Sequence, residues 1–459
     1  MKGKNKRIIL YLFIILSVLS FFGCGKAEDS NTEPSETEKE SEENYISLKD
    51  ASLKDEAFSV EDNIEVPEDI NDSAETVEIP GSEPEEDYSE GSDLSYSSII
   101  DSMSLDQKVY QLFVVTPEQL TGVERVTAAG STTREALEKR PVGGIIYFAS
   151  NLVDPAQTRS MLGSTQDIVE DVEGLPLFLA VDEEGGQVTR IAGKAAFNVK
   201  NVGPMSEVKS VEEAYYCGDQ IGKYLKNYGF NLDFAPDTDV RTNSQNKVIG
   251  DRSFSSDPET VAEYGKAYSD GLHANGILST FKHFPGHGDT LDDSHKGYAY
   301  SDKTYEQLKE CELIPFKAAG EYGVDMIMAA HVSLPNVIGD DTPASLSEKM
   351  ITDVLRNELG YDGLVITDAL YMGAVTESYG SAEAAKKAFM AGCDLMLMPA
   401  DLTAAHDAIY FAVKNGEIPE ERIDESLKRI VGVKLKLSKS DLERPTKDIG
   451  LPDSNMGNG

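Results

Sequence analysis

The sequence predicts an α/β chain built as a barrel of eight parallel strands, each followed by helix, the (β/α)8 TIM type, over residues 97–437. Three observations carry this expectation. Short apolar, β-branched runs recur along the chain and are separated by amphipathic stretches of helical length, which suits strands buried on both faces and joined by helical crossovers. The runs number eight, as a closed barrel requires. No GxGxxG turn follows any of them, whereas a doubly wound nucleotide-binding sheet would more often open on one.

Ahead of the barrel, residues 1–24 read MKGKNKRIILYLFIILSVLSFFGC, with four basic residues, an apolar run from Ile8 to Phe22 and then Gly23-Cys24. A basic segment followed by about 15 apolar residues is the pattern of an export signal and is short for a membrane-spanning helix. An uncleaved anchor is the alternative. Gly23-Cys24 resembles the end of a bacterial lipoprotein lipobox, although Phe21 stands where that pattern usually has Leu. The resemblance implies that Cys24 is lipidated and becomes the new N-terminus, tethering the protein to the outer face of the cell membrane.

Residues 25–96 change character, with runs such as EDSNTEPSETEKESEEN; from Lys26 to Ser95 there are 25 acidic and 4 basic residues. So little apolar surface cannot offset the entropy of ordering the chain, so this segment is expected to be a disordered, self-repelling spacer. It holds about half of the excess charge behind the formal net charge of −39. That acidic balance, with no basic patch, excludes a general nucleic-acid binder.

The strand candidates follow in order: Val109 to Thr116, Gly143 to Phe148, Pro176 to Asp182, Asn231 to Asp237, Ile277 to Phe284, Asp325 to Val332, Gly363 to Asp368 and Asp394 to Pro399. Several end on polar groups: Asp182, Asp237, the Lys282-His283 pair, His331 and Asp368. In a barrel those ends converge on one face, where catalytic groups gather. The stretch ERIDESLKRIVGVKLKL should lay an apolar face on the barrel, and residues 438–459, polar with prolines and glycines, read as a disordered tail. Cys217, Cys311 and Cys393 are odd in number and have no CxxC spacing, so they read as buried small apolar residues rather than as a disulfide or metal framework.

One loop concentrates chemistry: KHFPGHGDTLDDSH, from Lys282 to His295. Its HxxxHxD spacing, His283, His287 and Asp289, could ligate a divalent metal. Against that, Pro285 and Gly286 break any helix that would align the two histidines, and Lys282 sets a cation beside them. The other reading is acid/base catalysis. Asp293 can accept the second N–H of His295 and fix its tautomer, and a histidine held so can protonate a leaving group and later deprotonate water. Asp368, closing the seventh run, could then attack an anomeric carbon and form a covalent glycosyl-enzyme; metal ligation is its competing role.

Five ordered motifs, GGIIYF, VDEEGGQVTR, IGDRSFSSDP, KHFPGHGDTLDDSH and GLVITDALYMG, make the chain from about Ser97 to Leu437 resemble the glycoside hydrolase family 3 β-N-acetylglucosaminidases. The resemblance implies a barrel with Asp368 as nucleophile, His295 as acid/base and Asp293 as its orienting partner. By the same resemblance Asp182, Arg190, Arg252, Lys282 and His283 bind the sugar, His287, Gly286 and Gly288 shape the loop, and no metal or cofactor is needed. Asp237 stands where relatives tend to be apolar and receives no role. The expected reaction is removal of non-reducing terminal N-acetylglucosamine from peptidoglycan-derived fragments. Its rivals are a β-glucosidase, β-xylosidase or N-acetylglucosamine phosphorylase of the same family, a metal-dependent hydrolase on His283, His287 and Asp289, and a tethered glycan-binding lipoprotein without turnover.

Overall fold

The computed structural model describes residues 92–292 and 299–437. The expected signal segment with Cys24, the acidic spacer up to residue 91 and the C-terminal tail lie outside the described residues, as do Asp293 and His295; residues 92–96, expected to be disordered spacer, instead open the helix Ser92–Ser102. Among the described residues no helix is long and apolar enough to cross a membrane.

Eight parallel strands form a ring: β1 (Phe113–Val115), β2 (Gly144–Ile146), β3 (Phe178–Val181), β4 (Leu232–Asp233), β5 (Thr280–Phe284), β6 (Met326–Ala329), β7 (Leu364–Thr367) and β8 (Met396–Leu397). Each lies inside one of the eight apolar runs. One sheet runs β8-β1-β2-β3-β4 and another β7-β6-β5. The two are joined by parallel bridges, Leu232 to Leu278 and Asp237 to Lys282 at one seam and Ile366 to Leu395 at the other. The ring is therefore closed in the order of the sequence, an α/β barrel of the TIM type. Its strands are apolar on both faces because the helices cover the outside: Phe113, Val114, Phe178, Ala180, Phe281, Ile327, Val365 and Ile366 are fully buried.

The helices are cut to length by their caps. Asp154, Ser210, Asp257 and Asp401 accept backbone N–H groups in the first turns of Pro155–Val172, Val211–Tyr228, Pro258–His273 and Leu402–Lys414. The second and third of these pack backbone to backbone: a Cβ on Gly218 would stand 1.9 Å from the Tyr268 carbonyl oxygen. That close approach fixes the two helices that flank β4.

The last helix, Glu420–Lys436, does bury Ile423, Leu427, Ile430 and Val431. It also buries Lys434, whose Nζ donates to Gln111 Oε1 at 2.8 Å. Burial pulls this ammonium down to about 8, and burial raises the neighbouring Glu173 carboxyl to about 7. Cys217 and Cys393 are buried as expected, whereas Cys311 is partly exposed at the end of a short helix.

Candidate active site

The polar strand ends do converge. Asp182 follows β3, Asp237 follows β4, Lys282 and His283 lie within β5, His331 follows β6 and Asp368 follows β7. Between β5 and β6 the register slips: Lys282 pairs with Met328 and Phe284 with Ala329, so His283 is a bulge. A regular strand sends neighbouring side chains to opposite faces, and the bulge lets both cations serve the same site.

From these positions a ladder of alternating charge is built. Lys282 Nζ lies 3.2 Å from Asp182 Oδ1 and 2.5 Å from Glu184 Oε1. Glu184 takes Arg252 in a two-pronged pair, Nε to Oε2 and Nη2 to Oε1, both 2.8 Å. Arg252 Nε is also 3.2 Å from Asp237 Oδ2, in a geometry that makes no hydrogen bond, and its Nη2 is 3.4 Å from His283 Nε2. His283 Nδ1 meets Asp239 Oδ2 at 2.7 Å. At the outer edge Arg190 Nη2 is 3.4 Å from Asp182 Oδ2, and the guanidinium lies over the Phe148 ring at 5.7 Å.

Opposite charges along the ladder offset the burial of Glu184, Lys282 and His283. Burial opposes the charge of Glu184, but the flanking Arg252 and Lys282 hold its carboxyl well below the ordinary range. Burial likewise opposes the charge on Lys282 and His283; Glu184 and Asp182 raise the first and Asp239 raises the second. Asp237 is the exception: burial and the neighbouring Asp239 charge push it up to about 7.

Asp368 has its own setting. Its N–H donates to the Ala329 carbonyl at 2.8 Å, and its Oδ1 accepts the Ala369 N–H at 2.7 Å. Burial would raise its carboxyl, yet His331, His283, that N–H and Lys282 together hold it below the ordinary carboxylate range. Burial lowers the His331 imidazole and the Asp368 charge opposes that; its Nδ1 lies 2.7 Å from Ser345 Oγ and its Nε2 donates to the Ala369 carbonyl at 3.1 Å.

The β3 loop is folded around Glu183, which sequence reasoning passed over. This buried carboxylate accepts the N–H groups of Arg190, Ile191 and Ala192 at 2.6–2.9 Å and the Tyr224 hydroxyl at 2.9 Å. It thereby sets the backbone that carries Arg190. The turn before it needs Gly185 and Gly186, both at positive φ, and a Cβ on Gly186 would meet Pro204 at 2.8 Å.

The β5 loop is stapled at its base. The N–H of His287 donates to Asp239 Oδ1 at 2.5 Å, and His287 Nδ1 meets Thr290 Oγ1 at 2.8 Å. Asp289 accepts from Ser301 Oγ at 2.9 Å and lies 3.7 Å from Lys303 Nζ, which also pairs with Glu312. Leu291–Asp292 and Ala299–Tyr300 pair antiparallel, and the second of these runs beside Val332–Ser333. Residues 293–298, with Asp293 and His295, fall between these described ends.

The His283, His287 and Asp289 set therefore does not gather as metal donors; each is committed to a different partner. Among the described residues the acidic and imidazole trio whose atoms lie within 4.8 Å of one another is Asp237, Asp239 and His283. Arg252 stands against that trio, with Nε 3.2 Å from Asp237 Oδ2 and Nη2 3.4 Å from His283 Nε2. Asp237, given no role from the sequence, belongs to the ladder, as do Glu184 and Asp239. The clue in the sequence was the DEE run at the end of a buried strand: three adjacent carboxylates there call for partners from elsewhere in the chain, which are cations for Asp182 and Glu184 and backbone N–H groups with a Tyr hydroxyl for Glu183.

Comparison with known proteins fits this arrangement. Residues 104–433 match the glycosyl hydrolase family 3 N-terminal domain. The chain is 34% identical over 350 residues to β-hexosaminidase A of Pseudoalteromonas piscicida, covering 71% of this chain and 57% of that one. It is 34% identical over 280 residues to the β-hexosaminidase LpqI of Mycobacterium tuberculosis, covering 59% and 71%. Among solved structures, a family 3 β-N-acetylglucosaminidase from a Paenibacillus species superposes with a TM-score of 0.69 at 37% identity, over 78% of this chain and 66% of that one. M. tuberculosis LpqI superposes with a TM-score of 0.64 at 31% identity, over 74% and 96%. The chain thus spans just over half of the Pseudoalteromonas relative.

Proposed function

Because the chain belongs to glycosyl hydrolase family 3, we propose that it is a retaining exo-β-N-acetylglucosaminidase that removes non-reducing terminal N-acetylglucosamine from peptidoglycan-derived fragments. The observation that carries this reading is Asp368: a carboxylate at the end of β7, held below the ordinary carboxylate range by His331, His283, the Ala369 N–H and Lys282, beside a ladder of alternating acids and cations. Such a ladder offers acceptors and donors to the vicinal hydroxyls of one sugar ring. Relatives named as β-hexosaminidases and a β-N-acetylglucosaminidase support the choice of sugar.

In the first step Asp368 attacks the anomeric carbon, the glycosidic C–O bond breaks, and His295 gives its proton to the departing oxygen. In the second step His295 takes a proton from water, the water oxygen displaces Asp368, and the sugar leaves with its β configuration restored. Asp293 orients His295. Asp182, Arg190, Arg252, Lys282 and His283 hold the sugar meanwhile. Cys24, when lipidated, tethers the enzyme to the outer face of the membrane, and the acidic spacer holds the barrel away from it.

The test is hydrolysis of an aryl β-N-acetylglucosaminide and an aryl β-glucoside by the full chain, with EDTA and Asp368→Asn as controls and product analysis with and without phosphate. Release from the N-acetylglucosaminide that survives EDTA, yields the free sugar in phosphate and falls about 10³-fold or more in the variant supports the proposal. EDTA-sensitive release, a sugar phosphate product, or an active variant would each overturn it.

A further inference from the structure

We propose that Tyr371 is a specificity-determining residue, its ring forming the wall against which a saccharide leaving group rests as it extends out of the sugar pocket. This rests on the glycosidase reading above and adds to it the chemical class of the leaving group.

Tyr371 lies three residues beyond Asp368 and is 50% exposed; Met372 beside it is 37% exposed. The turn that presents them is tied down on both sides of Tyr371. Ala369 N–H donates to Asp368 Oδ1, the N–H of buried Leu370 donates to the Leu397 carbonyl at 2.8 Å, and that of Met372 to the Ala369 carbonyl at 3.1 Å. Leu370 is sunk into the core and Tyr371 is turned outward. The ring is thus presented by a fixed backbone, and with two side-chain torsions it loses little freedom on binding.

Its place in the fold puts it at the opening: it is half-exposed on the turn that follows Asp368 at the end of β7. Burial is the first cause that raises the phenol, the charges of Asp368 and Asp182 add to it, and Arg190 opposes them. These charges, at the nucleophile and at the outer edge of the ladder, agree with that place. Asp368 marks where the anomeric carbon must sit, and an exo-acting pocket encloses one sugar only. Whatever leaves that carbon passes the half-exposed groups next to the nucleophile. A pyranose presents a C–H face that packs against an aromatic ring, which a peptide or a small alcohol does not offer in the same form.

The experiment compares wild type, Tyr371→Ala and Tyr371→Phe on two substrates that share the transferred sugar. One is the disaccharide N,N′-diacetylchitobiose; the other is N-acetylglucosaminyl fluoride, whose leaving group is a single atom. The expected result is that the ratio of kcat/KM for disaccharide over fluoride falls roughly threefold to tenfold in the Ala variant and is kept by the Phe variant. An unchanged ratio in the Ala variant would overturn the proposal, whether both rates fall together or neither does. So would an equal fall in the Phe variant, which would assign the effect to the hydroxyl. A wild type inactive on both substrates would instead remove the glycosidase reading, and this proposal with it.

Discussion

One carboxylate, Asp239, fixes both ends of the β5 turn: Oδ2 lies 2.7 Å from His283 Nδ1, and Oδ1 receives the His287 N–H. Burial alone would strip His283 of its proton, and Asp239 reverses this, so that the imidazolium persists above the ordinary histidine range. Asp239→Asn keeps the shape and removes the charge. We expect kcat/KM to fall by about tenfold or more, as for loss of a buried charge-assisted hydrogen bond. The alkaline limb of the kcat/KM profile should move to lower pH, because the imidazole then loses its proton earlier; an unmoved limb would count against a cationic His283.

Asp289 ties Ser301 and Lys303 across the base of the segment that contains Asp293 and His295. With His295 as acid, Asp289→Asn should slow substrates with basic leaving groups about tenfold and those with acidic phenols much less, since only the former need the proton. A plot of log kcat/KM against leaving-group pKa reads this directly, and an equal loss across the series would separate the staple from the acid.

Gly288 has no room for a side chain: a Cβ there would stand 2.0 Å from the Val240 carbonyl oxygen, which is backbone and cannot turn away. Gly288→Ala should cost about 3 kcal/mol by forcing the β4 and β5 loops apart. Thermal melting and activity should fall together, and a variant with unaltered melting would contradict the packing described.

His273 Nε2 lies 2.6 Å from Asp325 Oδ2 beneath the barrel. Burial lowers this imidazole, but the Asp325 contact more than offsets it, and the folded-state value is raised. The folded protein thus binds the proton more tightly than the unfolded chain. The stabilisation is fully present below about pH 6.5 and is lost as pH rises through the raised folded value. Asp325→Asn should lower Tm by roughly 2 °C at pH 5.5, with the difference shrinking above pH 8. A difference constant across that range would assign the effect to the Ser279 N–H, which also donates to Asp325 at 3.0 Å.

All eight strands were legible because burial on both faces writes a continuous apolar run, a signal that survives without knowing what each strand touches. The convergence of Asp182, His283 and Asp368 was legible for the same reason, since barrel topology decides where strand ends go. The partners were not. Glu184 is committed to Arg252 and Lys282, 68 and 98 positions away, and no local period records such a pairing. Lys434 falls on the buried stripe of a helix whose pattern otherwise reads correctly, because what admits it is Gln111 and Glu173 on distant segments. The HxxxHxD spacing shows the converse: three residues close in sequence, against whose joint metal ligation Pro285, Gly286 and Lys282 already argued, are sent to Asp239, Thr290 and Ser301.

The slip at His283 also bears on how this pocket can be altered. Lys282 and His283 join the same charge ladder because the backbone of β5 gains a residue against β6, between the Lys282–Met328 and Phe284–Ala329 pairs. The number of positive groups available to a ligand is thus a property of strand alignment rather than of side-chain choice. Grafting KHF onto a barrel whose fifth and sixth strands run in step would deliver only one of the two, and no point substitution would recover the other. A transplant of this specificity has to carry both strands as a unit.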